Sequence, residues 1–155
     1  MLKYIKGDLI ELAKQGKFDV IAHGCNCFCL MGNGIAKQIK QEFPNAYELD
    51  CNTVKGDKTK LGKINYVFDY KSKNWIVNAY TQFNIANKNN PVAVDYEAVR
   101  SCMKEIKFGF GREERKFGFP MIGSGLAGGD WEIIEKIIEE EMYDEDVTIV
   151  IYDKE

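Results

Sequence analysis

Two glycine-rich segments of this chain have the residue types and spacing of phosphate-binding loops. The first, residues 23–36 (HGCNCFCLMGNGIA), lies between an apolar run and a helical pattern. The second, residues 119–129 (FPMIGSGLAGG), has the same setting and precedes a helical pattern that begins near Asp130. Backbone N–H groups at a helix start lack internal partners and carry the positive end of the helix dipole, and glycine lets an anion approach them closely. Two such loops predict a ligand with two phosphates, or one diphosphate held from both sides.

The net charge of the chain restricts the classes of partner that it can bind. The chain has 21 Lys and Arg against 24 Asp and Glu, for a net charge of -3. Proteins that bind a nucleic-acid backbone normally carry an excess of basic residues, so we expect no nucleic-acid partner and an anionic ligand held mainly by backbone amides. A chain of 155 residues with 45% hydrophobic composition predicts one globular domain over residues 1–155, which we expect to be a monomer.

The five cysteines indicate a reducing compartment. Their number is odd, and Cys25, Cys27 and Cys29 alternate within the first loop, which does not suit a disulfide framework. Alternate residues splay apart and the chain has one histidine, so we interpret these thiols as small buried groups and expect no metal and no cofactor. Residues 2–6 read as a strand rather than an apolar leader, and no run reaches membrane-spanning length. We therefore expect a cytoplasmic protein without a membrane partner.

Strand-like and helical patterns alternate along the chain. Helical periodicity lies at residues 35–43, 99–106 and 134–142, and Asp130 is the expected N-cap of the last helix. This alternation predicts an α/β fold with a largely parallel sheet and helices on both faces, in which ligands bind beyond the carboxyl ends of the strands. We interpret residues 50–61 as a solvated connection and residues 84–91 as a polar loop that borders the ligand cleft. The predicted strands are residues 2–6, 18–23, 64–70, 75–80, 116–122 and 147–152.

Together with Lys6-Gly-Asp-Leu9 and Asn78-Ala-Tyr-Thr-Gln82, the two loops resemble the macro domain, the ADP-ribose-binding fold. The resemblance covers nearly the whole chain and implies a three-layer α/β/α domain with a mixed, largely parallel central sheet. It also implies that Asp8 and the Leu9 amide recognise adenine, that Tyr152 lies beside adenine, and that Asn26 contacts the distal ribose. The implied ligand-binding residues are Gly7, Asp8, Leu9, Ala22, His23, Gly24, Asn26, Cys29, Leu30, Met31, Gly32, Asn33, Gly34, Ile35, Ala36, Ile122, Gly123, Ser124, Gly125, Leu126, Ala127, Gly128 and Tyr152.

Within the family, residues 21–27 (IAHGCNC) are most similar to the branch that includes the yeast-type ADP-ribose 1″-phosphate phosphatase, which has a His-Ser-Cys-Asn-Cys run there. The branch that removes ADP-ribose from acidic residues of proteins carries a Lys and an Asp. Here the matching positions are Gln82 or Phe83, and Ala127. The resemblance therefore implies a phosphoric monoester hydrolase that converts ADP-ribose 1″-phosphate to ADP-ribose and phosphate. The alternatives are a non-catalytic reader of ADP-ribose or of ADP-ribosylated protein, and a hydrolase that removes ADP-ribose from modified macromolecules.

The candidate catalytic residues are His23, Asn26 and Asp95. His23 is the only histidine and lies at the end of a predicted strand beside the first loop. A neutral imidazole there could orient or deprotonate the attacking water, or protonate the departing sugar oxygen; a packed, hydrogen-bonded histidine is the structural alternative. Asp95 is the acid nearest to residues 84–90. Phosphomonoester hydrolysis otherwise needs positioning and charge stabilisation, which loop amides can supply.

A dinucleotide-binding site is the rival interpretation of the second loop. Residues 123–128 (GSGLAG) satisfy the glycine fingerprint, and Asp153 follows the next predicted strand. That interpretation leaves the first loop unexplained, because its sixth position is Lys37 rather than Gly or Ala. A dehydrogenase would also need further strands and a substrate domain.

Overall fold

A computed structural model describes residues 2–152 of the chain and shows one six-stranded sheet with helices on both faces. Asp153, the acid of the dinucleotide interpretation, lies outside these residues. No helix within them is long and apolar enough to cross a membrane. The elements, in chain order, are β1 (Lys3–Gly7), α1 (Leu9–Lys14), β2 (Val20–Cys25), α2 (Gly34–Glu42), α3 (Pro44–Cys51), a 3-10 turn (Lys58–Lys60), β3 (Ile64–Asp69), β4 (Asn74–Tyr80), α4 (Tyr96–Phe110), β5 (Lys116–Phe119), α5 (Trp131–Glu141) and β6 (Asp146–Tyr152).

The sheet has the strand order β1-β6-β5-β2-β4-β3. All neighbouring pairs are parallel except β3 and β4, which are antiparallel. The three-layer α/β/α arrangement with a mixed, largely parallel sheet is thereby confirmed, and each of the six predicted strands is present. Strand β2 lies between β4 and β5 near the centre of the sheet, so the loops that follow β2 and β5 leave neighbouring strand ends.

The side chains of β2 alternate between two cores on opposite faces of the sheet. Val20 and Ala22 pack with α4 and α5 in one core, whereas Ile21 packs with α1, α2 and α3 in the other. The same alternation places Val77 and Ile76 of β4 on opposite faces. Successive residues of a strand point to opposite faces, so the parity of a position fixes its layer.

Three of the helices begin at an aspartate whose carboxylate accepts hydrogen bonds from the first turn. Asp8 caps α1, Asp95 caps α4 and Asp130 caps α5, as predicted for Asp130. The start of α2 differs, because its N-cap residue Asn33 makes no side-chain capping hydrogen bond. The helix that follows the first glycine loop therefore begins with open N–H groups.

Residues 50–61 are mostly exposed or partly exposed, as expected from their composition, but two charged residues of the segment are buried. Asp50 belongs to α3 and is buried, and its Oδ1 accepts a hydrogen bond from the Tyr80 hydroxyl at 2.7 Å. Lys60 is also buried, and its Nζ donates to Oγ1 of Thr53 at 2.8 Å. Burial raises the pKa of the Asp50 carboxyl, and the Tyr80 hydrogen bond offsets part of that rise. Tertiary partners on β4 thus bury charges that their local composition places in solvent.

Candidate functional site

One cavity of about 750 Å³ lies at the carboxyl edge of the sheet, within the size range of ligand pockets. It extends from the end of β1 and β6 (Gly7 and Tyr152), across both glycine loops, to Gln82 after β4. The sequence places both loops at this edge, and the structure brings them together around a single cavity. The predicted site residues in its wall are Gly7, Leu9, Gly24, Asn26, Cys29, Leu30, Met31, Gly32, Asn33, Gly34, Ile35, Ala36, Ile122, Gly123, Gly125, Leu126, Ala127 and Tyr152.

Asn26 organises the first loop with its side chain. Its Oδ1 accepts hydrogen bonds from the N–H of Phe28 at 2.9 Å and of Leu30 at 3.3 Å, and its Nδ2 donates to the Leu30 carbonyl at 2.9 Å. A primary amide has two N–H donors, so one donor of Asn26 remains for a ligand in the cavity. The distal-ribose contact predicted for Asn26 is compatible with this free donor and stays a prediction.

The open N-terminus of α2 faces the cavity. Gly34, Ile35 and Ala36 form its first turn and all three line the cavity. Their N–H groups have no carbonyl partner inside a helix, and Asn33 does not cap them. Gly34 has a φ of 60°, in the left-handed region that glycine adopts without steric cost. The arrangement presents partial positive charge to an anion in the cavity.

The second loop faces the first across the cavity. Gly123 and Gly128 bend it with φ values of 77° and 73°. The N–H groups between these bends, those of residues 125–127, donate to no acceptor within residues 2–152. Leu126 reaches over to the first loop, where its Cδ1 lies 3.3 Å from the position that a Cβ on Gly34 would take. Two sets of free amides thus converge on one space, as the diphosphate interpretation requires.

His23 does not line the cavity, so its predicted roles in catalysis and ligand binding stay predictions that this placement does not favour. It shares the parity of Ile21, so its side chain lies under α3 rather than at the cavity floor. Its Nε2 donates to Oδ1 of Asn78 at 2.7 Å, and Nδ2 of Asn78 donates to the carbonyl of Ala46. Complete burial lowers the pKa of His23 from 6.5 to about 4, although the Asn78 hydrogen bond opposes the shift. The ring is therefore neutral at pH 7 and has no path to a substrate.

Four further predicted site residues and the candidate acid Asp95 lie outside the cavity wall. The Asp8 carboxylate accepts from the N–H of Ile10 and Glu11, and the Asp95 carboxylate accepts from the N–H of Ala98 at 3.0 Å. Helix capping uses Oδ1 of both acids, and the adenine contact of Asp8 and the catalytic role of Asp95 stay predictions. Ala22 packs in the α4 and α5 core, the Ser124 hydroxyl donates to the Met121 carbonyl, and Gly128 packs against Pro91.

The cavity wall also contains residues that were not predicted as site residues. Gln82, Ile85 and Ala86 come from the segment after β4, part of which was expected to border the cleft at residues 84–91. Gln38 and Lys40 lie on α2, and Tyr47 lies on α3. Helix α3 was not predicted, so nothing in the sequence placed Tyr47 beside α2. The remaining additions are Pro120, Met121 and Val150.

The thiols near the first loop are structural groups. Cys25 and Cys27 are buried, and burial raises the pKa of both thiols, so both are protonated at neutral pH. Cys29 lines the cavity, and its Sγ donates to the carbonyl of Asp50 at 3.2 Å. Within residues 2–152 no cluster of His, Cys, Asp or Glu could hold a metal ion.

Thr81 carries a buried hydroxyl beside the cavity floor. Its Oγ1 has no hydrogen-bond partner within the described residues, and it lies 2.7 Å from the position that a Cβ on Gly24 would take. We expect Thr81→Val to raise the free energy of unfolding by about 1 kcal/mol, because valine keeps the shape and removes an unsatisfied polar atom. Thr81→Ser keeps the hydroxyl and loses a methyl group, so it should lower stability by about 1 kcal/mol.

Urea unfolding of wild type and both Thr81 variants measures whether the free energy of unfolding rises in Thr81→Val and falls in Thr81→Ser. A Thr81→Val protein less stable than wild type would show that the hydroxyl does have an acceptor, such as a fixed water.

The fold and the cavity define an α/β/α domain with a candidate anion-binding site at its sheet edge. A Macro domain family model matches residues 22–138. An uncharacterised 17.5 kDa protein in the tk-vs intergenic region of Enterobacteria phage T4 is 39% identical over 160 residues, with 100% of this chain and 97% of that protein covered. The ADP-ribose 1″-phosphate phosphatase of Candida albicans is 27% identical over 155 residues, with 90% and 93% covered.

A solved structure of a protein of unknown function from Bacteroides thetaiotaomicron is similar to this fold with a TM-score of 0.78. It is 28% identical in sequence, and the match covers 97% of this chain and 98% of that one. Because the family model matches well over half of the chain, this protein belongs to the Macro domain family.

Proposed function

We propose that this protein binds ADP-ribose in the sheet-edge cavity and hydrolyses ADP-ribose 1″-phosphate to ADP-ribose and phosphate. The observation that carries the proposal is the convergence of two sets of free amides, at Gly34–Ile35–Ala36 and at residues 125–127, on one cavity. A diphosphate between them would accept hydrogen bonds from both loops. Membership of the Macro domain family and the similarity to the Candida albicans phosphatase support the same assignment.

The chemistry proposed here depends on positioning. Neither a carboxylate nor an imidazole lines the cavity within residues 2–152, and Asn26 brings a free amide N–H to its wall. Fixed N–H groups can hold a phosphate and stabilise the charge of a transition state without a proton-transfer residue. We place Asn26 as the side chain that orients an oxygen of the substrate.

The absence of an acid or a histidine from the described cavity wall also favours a second candidate, the non-catalytic reader of ADP-ribose or of ADP-ribosylated protein. A reader needs the same amides and no water-activating group. Removal of ADP-ribose from a modified macromolecule is a third candidate, and loss of a protein-linked ADP-ribose label without turnover of the 1″-phosphate would select it.

Two glycine substitutions test whether the ligand occupies this cavity. Gly125→Ala places a methyl group in open space at the cavity wall, without a positive φ, so the fold should persist and a phosphate should be kept from the loop amides. We expect the affinity for ADP-ribose to fall about tenfold or more, which corresponds to about 1.4 kcal/mol. Gly109→Ala is the matched control, because Gly109 also has open space but lies on α4 away from the cavity. Calorimetry with ADP-ribose measures both affinities.

The activity is measured as phosphate release from ADP-ribose 1″-phosphate by wild type and both glycine variants. Turnover that falls in Gly125→Ala and persists in Gly109→Ala supports the phosphatase, and it excludes a contaminating enzyme. Tight ADP-ribose binding without phosphate release selects the reader. Equal affinities of the two variants would place the ligand elsewhere and overturn the proposal.

A further inference from the structure

Lys40 is the single charged side chain among the described residues that line the cavity. It lies in the last turn of α2, and its Nζ is 4.3 Å from the centre of the Tyr47 ring. No carboxylate lies within 4.0 Å of this ammonium in residues 2–152, whereas Lys14 and Lys107 are each paired with a glutamate. An unpaired cation in a cavity wall that otherwise has neutral side chains attracts an anion.

The position of Lys40 identifies which part of a ligand it meets. Tyr47 packs against the apolar cluster that contains Cys25 of β2 and Tyr80 of β4, so the Lys40 and Tyr47 pair belongs to the end of the cavity above these two strands. Gly7 and Tyr152 form the opposite end, above β1 and β6. The loops that carry the open amides follow β5 and β2, which lie between β6 and β4 in the sheet, so the amides lie between these two ends. A ligand held at its diphosphate by those amides therefore extends one end toward Tyr152 and the other toward Lys40.

The aromatic ring fixes the cation without neutralising it. Lys40 is exposed and a lysine side chain has high rotamer entropy, so contact with the face of Tyr47 is what favours a position of the ammonium at the cavity. The ring adds no formal charge, so the full positive charge remains available. Lys37, which lies on the same helix, does not line the cavity and contacts no such ring.

We infer that Lys40, positioned by Tyr47, recognises an anionic group on the distal ribose, so that the protein prefers ADP-ribosyl compounds with a phosphate-type anion at that end over ADP-ribose itself. The inference rests on the proposed ADP-ribose site and names the class of substrate that the site selects. A neutral group at the same place would leave the ammonium without an acceptor, so charge at this end discriminates between substrates.

The test compares two ligands in three proteins: wild type, Lys40→Met and the control Lys37→Met. Calorimetry gives the Kd of ADP-ribose, and initial rates give the KM of ADP-ribose 1″-phosphate, with its Kd taken by calorimetry if no turnover occurs. In Lys40→Met, binding of the 1″-phosphate should weaken on the order of tenfold, because a charge-assisted contact is lost, while the Kd of ADP-ribose changes less than about twofold. Lys37→Met should leave both constants unchanged.

Two more variants separate charge from shape. Lys40→Glu should reverse the preference, so that ADP-ribose binds more tightly than its 1″-phosphate, and Tyr47→Leu should show a smaller loss confined to the 1″-phosphate. Higher salt should weaken 1″-phosphate binding in wild type and have less effect in Lys40→Met. Equal loss for both ligands, or no loss for either in Lys40→Met, overturns the inference. Failure of wild type to bind ADP-ribose at all would instead overturn the proposed function.

Discussion

Replacing Gly128 by alanine should lower the free energy of unfolding by about 3 kcal/mol and abolish measurable ligand binding. Gly128 has a φ of 73°, which an alanine adopts only with strain. An added Cβ would lie 2.1 Å from the carbonyl oxygen of Pro91 and 3.1 Å from its carbonyl carbon, so backbone rather than a flexible side chain must move. Strain and overpacking each cost about 1–2 kcal/mol at such a site.

The ligand-binding loss follows from what that contact supports. The carbonyl of Ala127 accepts hydrogen bonds from the N–H of Ala93 at 2.8 Å and of Val94 at 3.3 Å. The second loop is thereby fixed to the segment that leads into α4, and Gly128 stands at the closest approach of the two. When alanine pushes the segments apart, the free amides of residues 125–127 lose their alignment toward the first loop.

Thermal or urea unfolding measures the Gly128→Ala effect, and Gly125→Ala is its control in the same loop. Gly125 has no neighbour within 4 Å of an added Cβ and no positive φ, so that variant should unfold as wild type does. The pair separates loss of ligand contact, expected for both, from loss of structure, expected only for Gly128→Ala. A Gly128→Ala protein with wild-type stability would show that the Pro91 segment moves aside at no cost.

The fold could be predicted from the sequence because its signals are local and repeated. Each strand carries β-branched or aromatic residues, and β2 and β4 are buried almost continuously because helices cover both faces of the sheet. The helices α2, α4 and α5 carry clear apolar periodicity. Helix α1 has six residues and α3 mixes Asp, Glu and Asn with apolar residues, so neither has a period long enough to detect. Their packing against the sheet, rather than their own pattern, stabilises them.

The candidate site was most predictable where the chemistry belongs to the backbone, although Asn26 and Tyr152, which were selected for their side chains, also line the cavity. Glycines before helix starts indicate both loops, and both loops line the cavity. Lys40 and Tyr47 were not predicted, because their contact depends on how α2 packs against α3. The cytoplasmic location, the monomeric state and the single-domain organisation stay predictions.

His23 shows why a strand-end histidine is ambiguous in sequence. A change of one position along β2 moves a side chain from one face of the sheet to the other, and position 23 shares the face of Ile21 under α3. Its position at the end of a predicted strand, beside the first loop, favoured a place in the cavity. Its partner Asn78, which pairs with it across β2 and β4, satisfies the ring instead.

The buried ring of His23 makes the free energy of unfolding depend on pH. The pKa of His23 is about 4 in the folded protein against 6.5 for an unperturbed histidine, so between these values the unfolded chain binds a proton that the folded protein does not. Stability contributed by His23 is therefore complete above pH 6.5 and falls as the pH is lowered to about 4, by about 3 kcal/mol in total. Protonation would place a charge where Nδ1 has only the Cys25 thiol nearby, at 3.8 Å.

His23→Gln isolates this contribution, because a glutamine amide can still donate to Asn78 and does not titrate between pH 4 and 7. The raised pKa of Asp50 acts in the opposite direction, since its contribution weakens as pH rises, but it is common to both proteins and cancels in their difference. Urea unfolding at pH 7, 5.5 and 4 should show wild type losing about 3 kcal/mol relative to His23→Gln. A constant difference would mean that His23 titrates normally and is reachable by solvent. Phosphate release or ADP-ribose binding at pH 7 should persist in His23→Gln, because a residue under α3 contributes to folding and not to contact with the ligand. A folded His23→Gln protein that binds ADP-ribose but releases no phosphate would instead show that the His23 ring takes part in catalysis.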